Sequence, residues 1–278
     1  MTYPYNMGGG FEEYVERFIR ETHPPFLVSD SYILYHDNRS NDDTFYANNE
    51  VIRRKALEAD IGFMGFALTT GHKRPEPEAS LRTASESDLH WQVNVMLAYG
   101  AQGIWYYNYR IDTGDGVFDE AMVTHIGGRP TRSYDFIRRL NSGLLANGAL
   151  LLRLRSVGVY HCIAPAEPIS EFSQRYMDGI IDGIKHLAAV DVIVAQFEER
   201  TSDGMAYVML VNRRHADGVP VAEPSLATSV EFELEPGFRA ELFDSESGIA
   251  RPLHPSSSGL YHLTLSGGAR ALMRLSSI

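Results

Sequence analysis

Residues 88–110 read DLHWQVNVMLAYGAQGIWYYNYR, and this stretch decides the fold. Its first part repeats apolar residues from Leu89 to Leu97 at helical spacing, which predicts an amphipathic helix. Residues 103–107, GIWYY, are typical of a buried strand, and polar groups follow from Asn108 onward. A helix that leads into a buried strand is the repeating unit of parallel α/β folds, whose functional loops follow the carboxyl ends of the strands.

The same alternation extends on both sides of this stretch. The predicted helices are one that ends before Pro24 and those over residues 48–59, 88–99 and 134–145, and the predicted strands cover residues 26–30, 61–68 and 103–109. Asn147 and Gly148 predict the end of the last helix. The order αβαβαβα supplies three strands, whereas a closed barrel needs eight strands and roughly 250 residues. Residues 1–150 therefore predict part of a (β/α) barrel.

After residue 150 the apolar pattern changes to a period of two. Strands are predicted over residues 155–162, 192–197, 206–212, 229–234, 240–243, 259–265 and 270–275, with glycine-containing turns between them. Short strands at this spacing favour an antiparallel β-sandwich over residues 151–278. One helix is expected within residues 170–187.

Composition excludes several classes of function. A net charge of −11 without a long basic run argues against nucleic-acid binding. Cys162 is the only cysteine, so an internal disulfide or a cysteine zinc site is excluded, and the ten scattered histidines show no zinc spacing. We expect no metal and no cofactor. No apolar stretch approaches the ~20 residues of a membrane helix, and no apolar leader opens the chain, so no membrane partner is expected and the compartment stays open.

Three stretches resemble beta-galactosidase-like glycoside hydrolases with a TIM barrel. Residues 81–109, LRTASESDLHWQVNVMLAYGAQGIWYYNY, are similar to the last helix–strand unit of that barrel. Residues 3–32 resemble the approach to a strand ending in Asp-x-Tyr, and residues 192–213 resemble the opening of the C-terminal β-domain. The resemblance implies α/β plus all-β architecture: the C-terminal part of a (β/α)8 TIM barrel in residues 1–150, lacking the first five strands, and an antiparallel β-sandwich in residues 151–278. It also implies hydrolysis or binding of O-glycosides, galactosides among them.

Asp30 is the candidate catalytic residue. Most glycosidases use two carboxyl groups across the scissile bond, and Asp30 is the one carboxyl placed directly at a predicted strand end. An Asp at this position is equally able to cap the loop. No Asp-Glu-Pro-like strand end precedes Asp30, and the strand over residues 61–68 is not followed by Glu, both of which depart from the related enzymes. The alternatives are a non-catalytic carbohydrate-binding or assembly chain and an incomplete glycosidase.

Aromatic and polar residues near the strand ends are the candidate sugar contacts. They are Tyr32, His72, Trp105, Tyr107, Asn108 and Tyr109, while Asp112, Asp115, Asp119 and Glu120 follow in a glycine-rich loop that is expected to be mobile and offers further binding groups. Aromatic strand residues are as often core, a single loop histidine is often an ordinary surface group, and Trp91 is expected to be buried. The face of the sheet that would line the barrel is predicted to be uncovered, which favours self-association or a partner that covers it.

Overall fold

Three parallel strands with helices between them form the first half of the structure, a computed structural model that describes residues 9–36, 40–111, 116–200 and 205–278. The helices are α1 (Gly9–Thr22), α2 (Asp42–Glu58), α3 (Glu86–Ala98) and α4 (Arg132–Leu151), and the strands are β1 (Phe26–Asp30), β2 (Gly62–Leu68) and β3 (Gly103–Tyr107). The strands lie in the order β1-β2-β3, and both pairings are parallel. The predicted order αβαβαβα is confirmed.

Helix α2 begins at Asp42 rather than at residue 48. The side-chain oxygen of Asn41 accepts a hydrogen bond from the backbone N–H of Thr44 at 3.3 Å, which caps the helix there. Asp42 and Asp43 place negative charge in the first turn, where the helix dipole favours it. The apolar pattern alone placed the start too late because the capped first turn is polar.

Helix α4 continues to Leu151, so the stop predicted at Asn147 and Gly148 is wrong. Asn147 is buried, and its amide donates to the carbonyl oxygens of Gly143 and Ser245, each at 3.2 Å. These bonds tie the helix to the second half of the chain. An asparagine whose amide is occupied in this way no longer ends the helix.

Ten strands make up the described part of the second half, residues 152–200 and 205–278. They are β4 (Leu154–Cys162), β5 (Gln174–Arg175), β6 (Ile184–Ala189), β7 (Val192–Glu199), β8 (Ala206–Asn212), β9 (Thr228–Leu234), β10 (Phe238–Phe243), β11 (Ala250–Pro252), β12 (Tyr261–Leu265) and β13 (Arg270–Ser277). One sheet has seven strands in the order β11-β10-β13-β8-β7-β4-β5, and the other has the order β12-β9-β6. Only the short β4–β5 pairing is parallel among the described strands of these sheets.

The helix expected within residues 170–187 is absent, and the expectation is wrong. Gly179 and Gly183 have φ of 79° and 87°, which a right-handed helix does not allow. Strand β6 follows at once and pairs with β9, with Ile184 opposite Leu234. Pairing with a partner about fifty residues later in the sequence overrides the local pattern.

The central strands of the seven-stranded sheet are buried on both faces. In β7, Ile193 and Ala195 belong to the core that includes helix α3, whereas Val192 and Val194 face the three-stranded sheet. Trp91 of α3 is fully buried, as expected. The two halves of the chain therefore share one core, and independent folding of residues 151–278 stays a prediction.

A substitution at Gly268 tests how tightly α3 is packed against the seven-stranded sheet. It has φ of 65°, and an added Cβ would lie 2.5 Å from the Trp91 backbone nitrogen and 2.6 Å from the Ser87 carbonyl oxygen. Gly268→Ala should combine backbone strain with a collision against α3 and lower the free energy of unfolding by about 2–4 kcal/mol in urea denaturation.

Gly259→Ala is the matched control, because Gly259 has φ of 83° but nothing within 4 Å of the added Cβ. It should cost only the backbone strain, about 1–2 kcal/mol. Equal losses for the two variants would show that the contact between α3 and residue 268 is loose.

Candidate functional site

The parallel register places three side chains in one row near the carboxyl ends of the strands. Asp30 pairs with Phe66, and Phe66 pairs with Trp105. Laterally paired residues in a sheet project to the same face, so the three side chains lie side by side. Two strand spacings of ~4.8 Å separate the backbones of the outer two by roughly 10 Å. A carboxyl and an indole thus flank a phenyl ring on one face.

That face lies opposite the helices. Tyr106, the next residue after Trp105, donates its hydroxyl to Asn141 Oδ1 of α4 at 2.6 Å and so points to the helix side. Trp105 is 51% exposed, and its ring centroid lies 5.8 Å from that of Phe66. Its Nε1 donates to Met64 Sδ at 3.3 Å, which fixes one edge of the indole. A flat aromatic surface is therefore presented to solvent in a defined orientation.

Asp30 is half-buried at the end of β1. Burial raises the pKa of this carboxyl above its usual 3.8, and a backbone hydrogen bond opposes the rise. The next residue, Ser31, accepts a hydrogen bond from the buried Asn48 of α2 at 3.1 Å. Helix α2 thus anchors the strand end that carries Asp30, which favours a fixed position for the carboxyl.

An aromatic cluster lies beyond the row. The ring of Tyr107 lies 5.5 Å from that of Tyr32 and 6.5 Å from that of His72, centroid to centroid. Phe118 completes the cluster at 5.5 Å from His72. Burial, together with the nearby charge of Arg74, lowers the pKa of His72 below 6.5. His72 is therefore neutral at neutral pH and is able both to donate and to accept a hydrogen bond.

Asn108 and Tyr109 differ from the other candidates. The peptide bond between Tyr107 and Asn108 is cis. The side-chain oxygen of Asn108 accepts the backbone N–H of Arg110 at 3.3 Å, so this atom supports the turn. Tyr109 is 58% exposed, and its carbonyl accepts the N–H of Val123 at 3.0 Å. The structure brings Tyr32, His72 and Tyr107 together and leaves Tyr109 at the outer margin.

Asp119 and Glu120, in the loop after β3, make hydrogen bonds that stabilise the loop. Asp119 accepts the hydroxyl of Thr83 at 2.8 Å and donates its N–H to the Gly71 carbonyl at 2.9 Å. A Cβ on Gly71 would lie 2.4 Å from Asp119 Oδ2, so this contact needs glycine. Glu120 accepts the backbone N–H of His125 at 2.8 Å. Asp112 and Asp115 lie outside the described residues.

Phe66 and Phe118 were not among the candidates from the sequence. Phe66 alternates with Ala67 in β2 and thus shares a face with Met64, a signal that the sequence did contain. Phe118 reaches the cluster because residues 117–119 pair with residues 71–73, a contact between loops about forty-five residues apart in the sequence. No local pattern reports such a contact.

Membrane-spanning helices and metal sites find no support in the described ranges. None of the helices there is long and apolar enough to cross a bilayer, and no three His, Cys, Asp or Glu side chains there group closely enough to hold a metal ion. Cys162 is buried, and burial raises the pKa of its thiol to about 12. A buried thiol with a raised pKa is unreactive.

Comparisons with known proteins give structural likeness without sequence relatives. No protein-family model matches the chain, and no curated protein matches its sequence. A rhamnosidase from Novosphingobium is 11% identical with a TM-score of 0.48, over 90% of this chain and 34% of that one. An alpha-amylase from Geobacillus thermoleovorans is 11% identical with a TM-score of 0.36, over 96% of this chain and 64% of that one.

A β-L-arabinopyranosidase from Geobacillus stearothermophilus is likewise 11% identical, with a TM-score of 0.26, over 96% of this chain and 62% of that one. The chain is distantly similar in structure to portions of these glycoside hydrolases. It spans between about a third and two thirds of their length.

The Asp30→Asn variant distinguishes two roles of Asp30: a carboxyl group of the candidate site, or a residue that caps the loop after β1. Because burial raises the pKa of Asp30, the folded state disfavours the charged form, and the stability that this group contributes falls as pH rises above 3.8. Removing the charge should therefore leave the free energy of unfolding at pH 7 unchanged or slightly higher, measured by urea denaturation.

A loss on the order of 1 kcal/mol would instead identify Asp30 as a loop cap. Asp178→Asn is the control with the opposite sign. Slight desolvation opposes the shift, but hydrogen bonds from His186 and from the Leu187 N–H lower the pKa of the exposed Asp178 carboxyl, so Asp178→Asn should destabilise the fold at pH 7.

Proposed function

We propose that the open face of the first sheet binds carbohydrate in a glycoside hydrolase-like protein that acts on or binds O-glycosides, galactosides among them. The observation that carries the proposal is the row of Asp30, Phe66 and Trp105. In this row a half-buried carboxyl and an exposed indole share one face at the carboxyl ends of parallel strands.

The chemistry of the row suits a sugar ring. A pyranose has C–H groups on its faces and hydroxyl groups around its rim. The exposed indole of Trp105 offers a flat apolar surface with a polarisable π system for one face of the ring. The carboxyl of Asp30 accepts hydroxyl hydrogen bonds, which are stronger when the acceptor is ionised. The neighbouring aromatic cluster contains Tyr32, Tyr107 and His72, and the imidazole of His72 is neutral.

We further propose that β1, β2 and β3 are the last strands of a (β/α)8 barrel and that the second half is an antiparallel β-sandwich. Support comes from the parallel order, from helices that cover one face, and from the opposite face, on which Phe26 and Trp105 are 41% and 51% exposed. In a closed barrel that face is the packed interior, with the site at the carboxyl ends of the strands.

Hydrolysis needs a second carboxyl group. Asp30, with its raised pKa, suits the acid that protonates the leaving oxygen. The residues directly after β2 are Thr69 and Thr70, and Asn108 follows β3, so neither neighbouring strand end supplies the partner. This observation favours the second candidate, a binding chain without turnover, and we expect little or no turnover from the chain as given.

Binding is tested by calorimetry with β-galactosides and other short oligosaccharides, beside a turnover assay on a panel of aryl glycosides. Trp105→Ala should weaken binding at least tenfold, or about 1.4 kcal/mol, because the stacking surface is lost. Tyr107→Ala should also weaken binding, and Tyr109→Ala should do so less because Tyr109 lies at the margin. Tyr14→Ala is the control, since Tyr14 is an exposed aromatic residue on α1.

The roles of Asp30 are separated by the same assays. In a working glycosidase, Asp30→Asn should lower kcat strongly with Tm nearly unchanged. In a binding chain, the aromatic substitutions should weaken affinity more than Asp30→Asn does. Full activity of Asp30→Asn would remove this residue from the site. Affinity unchanged in Trp105→Ala would reject the open face as the carbohydrate site.

A further inference from the structure

A buried ion cluster joins the second half of the chain to the first turn of α3. We define the clamp as Asp42, Arg82, Asp88 and His215. Asp88 is fully buried and accepts hydrogen bonds from Arg82 Nη2 at 3.0 Å and from His215 Nδ1 at 2.6 Å. On the other side of the imidazole ring, His215 Nε2 lies 3.2 Å from Asp42 Oδ2.

The geometry defines the charge of His215. Each ring nitrogen faces a carboxylate oxygen, and an ionised carboxylate only accepts hydrogen bonds. Both nitrogens must therefore donate, which makes the ring an imidazolium. The side chain of His215 is 4% exposed, and its ring stacks on Trp91 with centroids 4.1 Å apart. Water therefore cannot readily replace the buried carboxylate of Asp88 as a partner.

Residues 71–85, which we call the site loop, connect the clamp to the candidate site. Arg82 is buried in the clamp, and its backbone N–H donates to the Leu34 carbonyl at 3.0 Å. The preceding residue, Leu81, exchanges two backbone hydrogen bonds with His72, each 2.9 Å long. Arg82 of the clamp therefore directly follows Leu81, and the pairing of Leu81 with His72 holds His72 against Tyr107 and Phe118.

We propose that His215 is a positioning residue for the candidate site: its imidazolium holds Asp88, Asp88 holds Arg82, and Arg82 in turn fixes the strand pairing that places His72. The proposal rests on the proposed function, because it states how the same site is kept in shape by the second half of the chain. It gives that half a role in the site, although the site residues named above all belong to the first half.

The proposal carries a pH dependence. Burial opposes protonation of His215, but the hydrogen bonds and charges of Asp42 and Asp88 outweigh it and raise the pKa of His215 to about 9. The clamp is thus complete below the ordinary pKa of 6.5 and is lost as pH rises through about 9. The charged and titratable groups in or beside the clamp are Asp42, Asp43 and Tyr46 on α2, Asp88 on α3, Arg82 before it, and Arg213, Arg214 and Asp217 on the segment of His215.

Hydrogen exchange of the 278-residue chain without ligand tests the proposal. In His215→Gln, the protection of residues 71–85 should fall by about tenfold or more, since local opening is no longer opposed by the clamp. His215→Lys should restore most of this protection because it returns a cation between the two carboxylates. His186→Gln is the control, since His186 pairs with Asp178 at an exposed surface and should leave the site loop unchanged.

The wild-type chain supplies a second readout that needs no variant. After correction for intrinsic exchange rates, protection of residues 71–85 should decline between about pH 8 and pH 10, with strand β9 as the unchanged reference. A flat pH profile would overturn the proposal even if His215→Gln fails to fold. Equal loss of protection over the whole chain in His215→Gln, unrelieved by lysine, would also overturn it. Because no sugar is present, absence of carbohydrate binding would count against the proposed function alone.

Discussion

The buried carboxylate of Asp88 is the group on which the arrangement of the two halves depends. An ionised carboxylate taken out of water costs several kcal/mol unless hydrogen bonds and opposite charge replace the lost solvation. Here the replacement comes from three directions: the Ser85 N–H at 2.7 Å, the guanidinium of Arg82 and the ring of His215. Ser85 and Arg82 belong to the site loop, His215 belongs to the second half of the chain, and Asp88 itself lies in α3. Satisfying one charge therefore fixes three segments relative to one another.

The same helix start shows how local and distant contacts combine. Ser85 and Asp88 form a capping box at the start of α3, and the hydroxyl of Ser85 also donates to the Ala216 carbonyl at 2.7 Å. The helix is thus set on the seven-stranded sheet with its first turn hydrogen-bonded to the loop after β8. With α3 fixed, β3 follows in register beside β2, and Trp105 emerges on the open face. The candidate site is shaped at a distance by contacts that lie on the other side of the sheet.

The sequence predicted the parts of the fold whose cause is local. Helical spacing around Leu89 and Val93, and the apolar run before Leu68, report burial directly, so the βα units and their order were predicted. The start of α2 was missed because a capped polar turn has no apolar period. Helix α4 was cut short at Asn147 because Ser245, a hydrogen-bond partner of this buried side chain, lies about a hundred residues away in the sequence. The helix expected within residues 170–187 failed for the related reason that β9 pairs with that segment.

For the site, strand ends were enough to predict that Asp30 and Trp105 share an edge of the sheet. The register that puts Phe66 between them, and the loop pairing that brings Phe118 to His72, arise only from tertiary structure. The clamp had a single local signal, the Ser85-x-x-Asp88 capping box. Its other half, His215, lies 127 residues from Asp88, and nothing near His215 in the sequence indicates a buried cation.

The number of protons on the His215 ring tests most directly whether Asp88 and His215 form a buried ion pair that joins the two halves. Side-chain ¹⁵N–¹H correlation spectra of the labelled chain, with the His215 signals assigned by their loss in His215→Gln, report both ring nitrogens separately. We predict that both nitrogens are protonated at pH 7 and that one proton leaves as pH rises through about 9. A neutral ring with one protonated nitrogen at pH 7, or a midpoint at or below 6.5, would contradict this prediction.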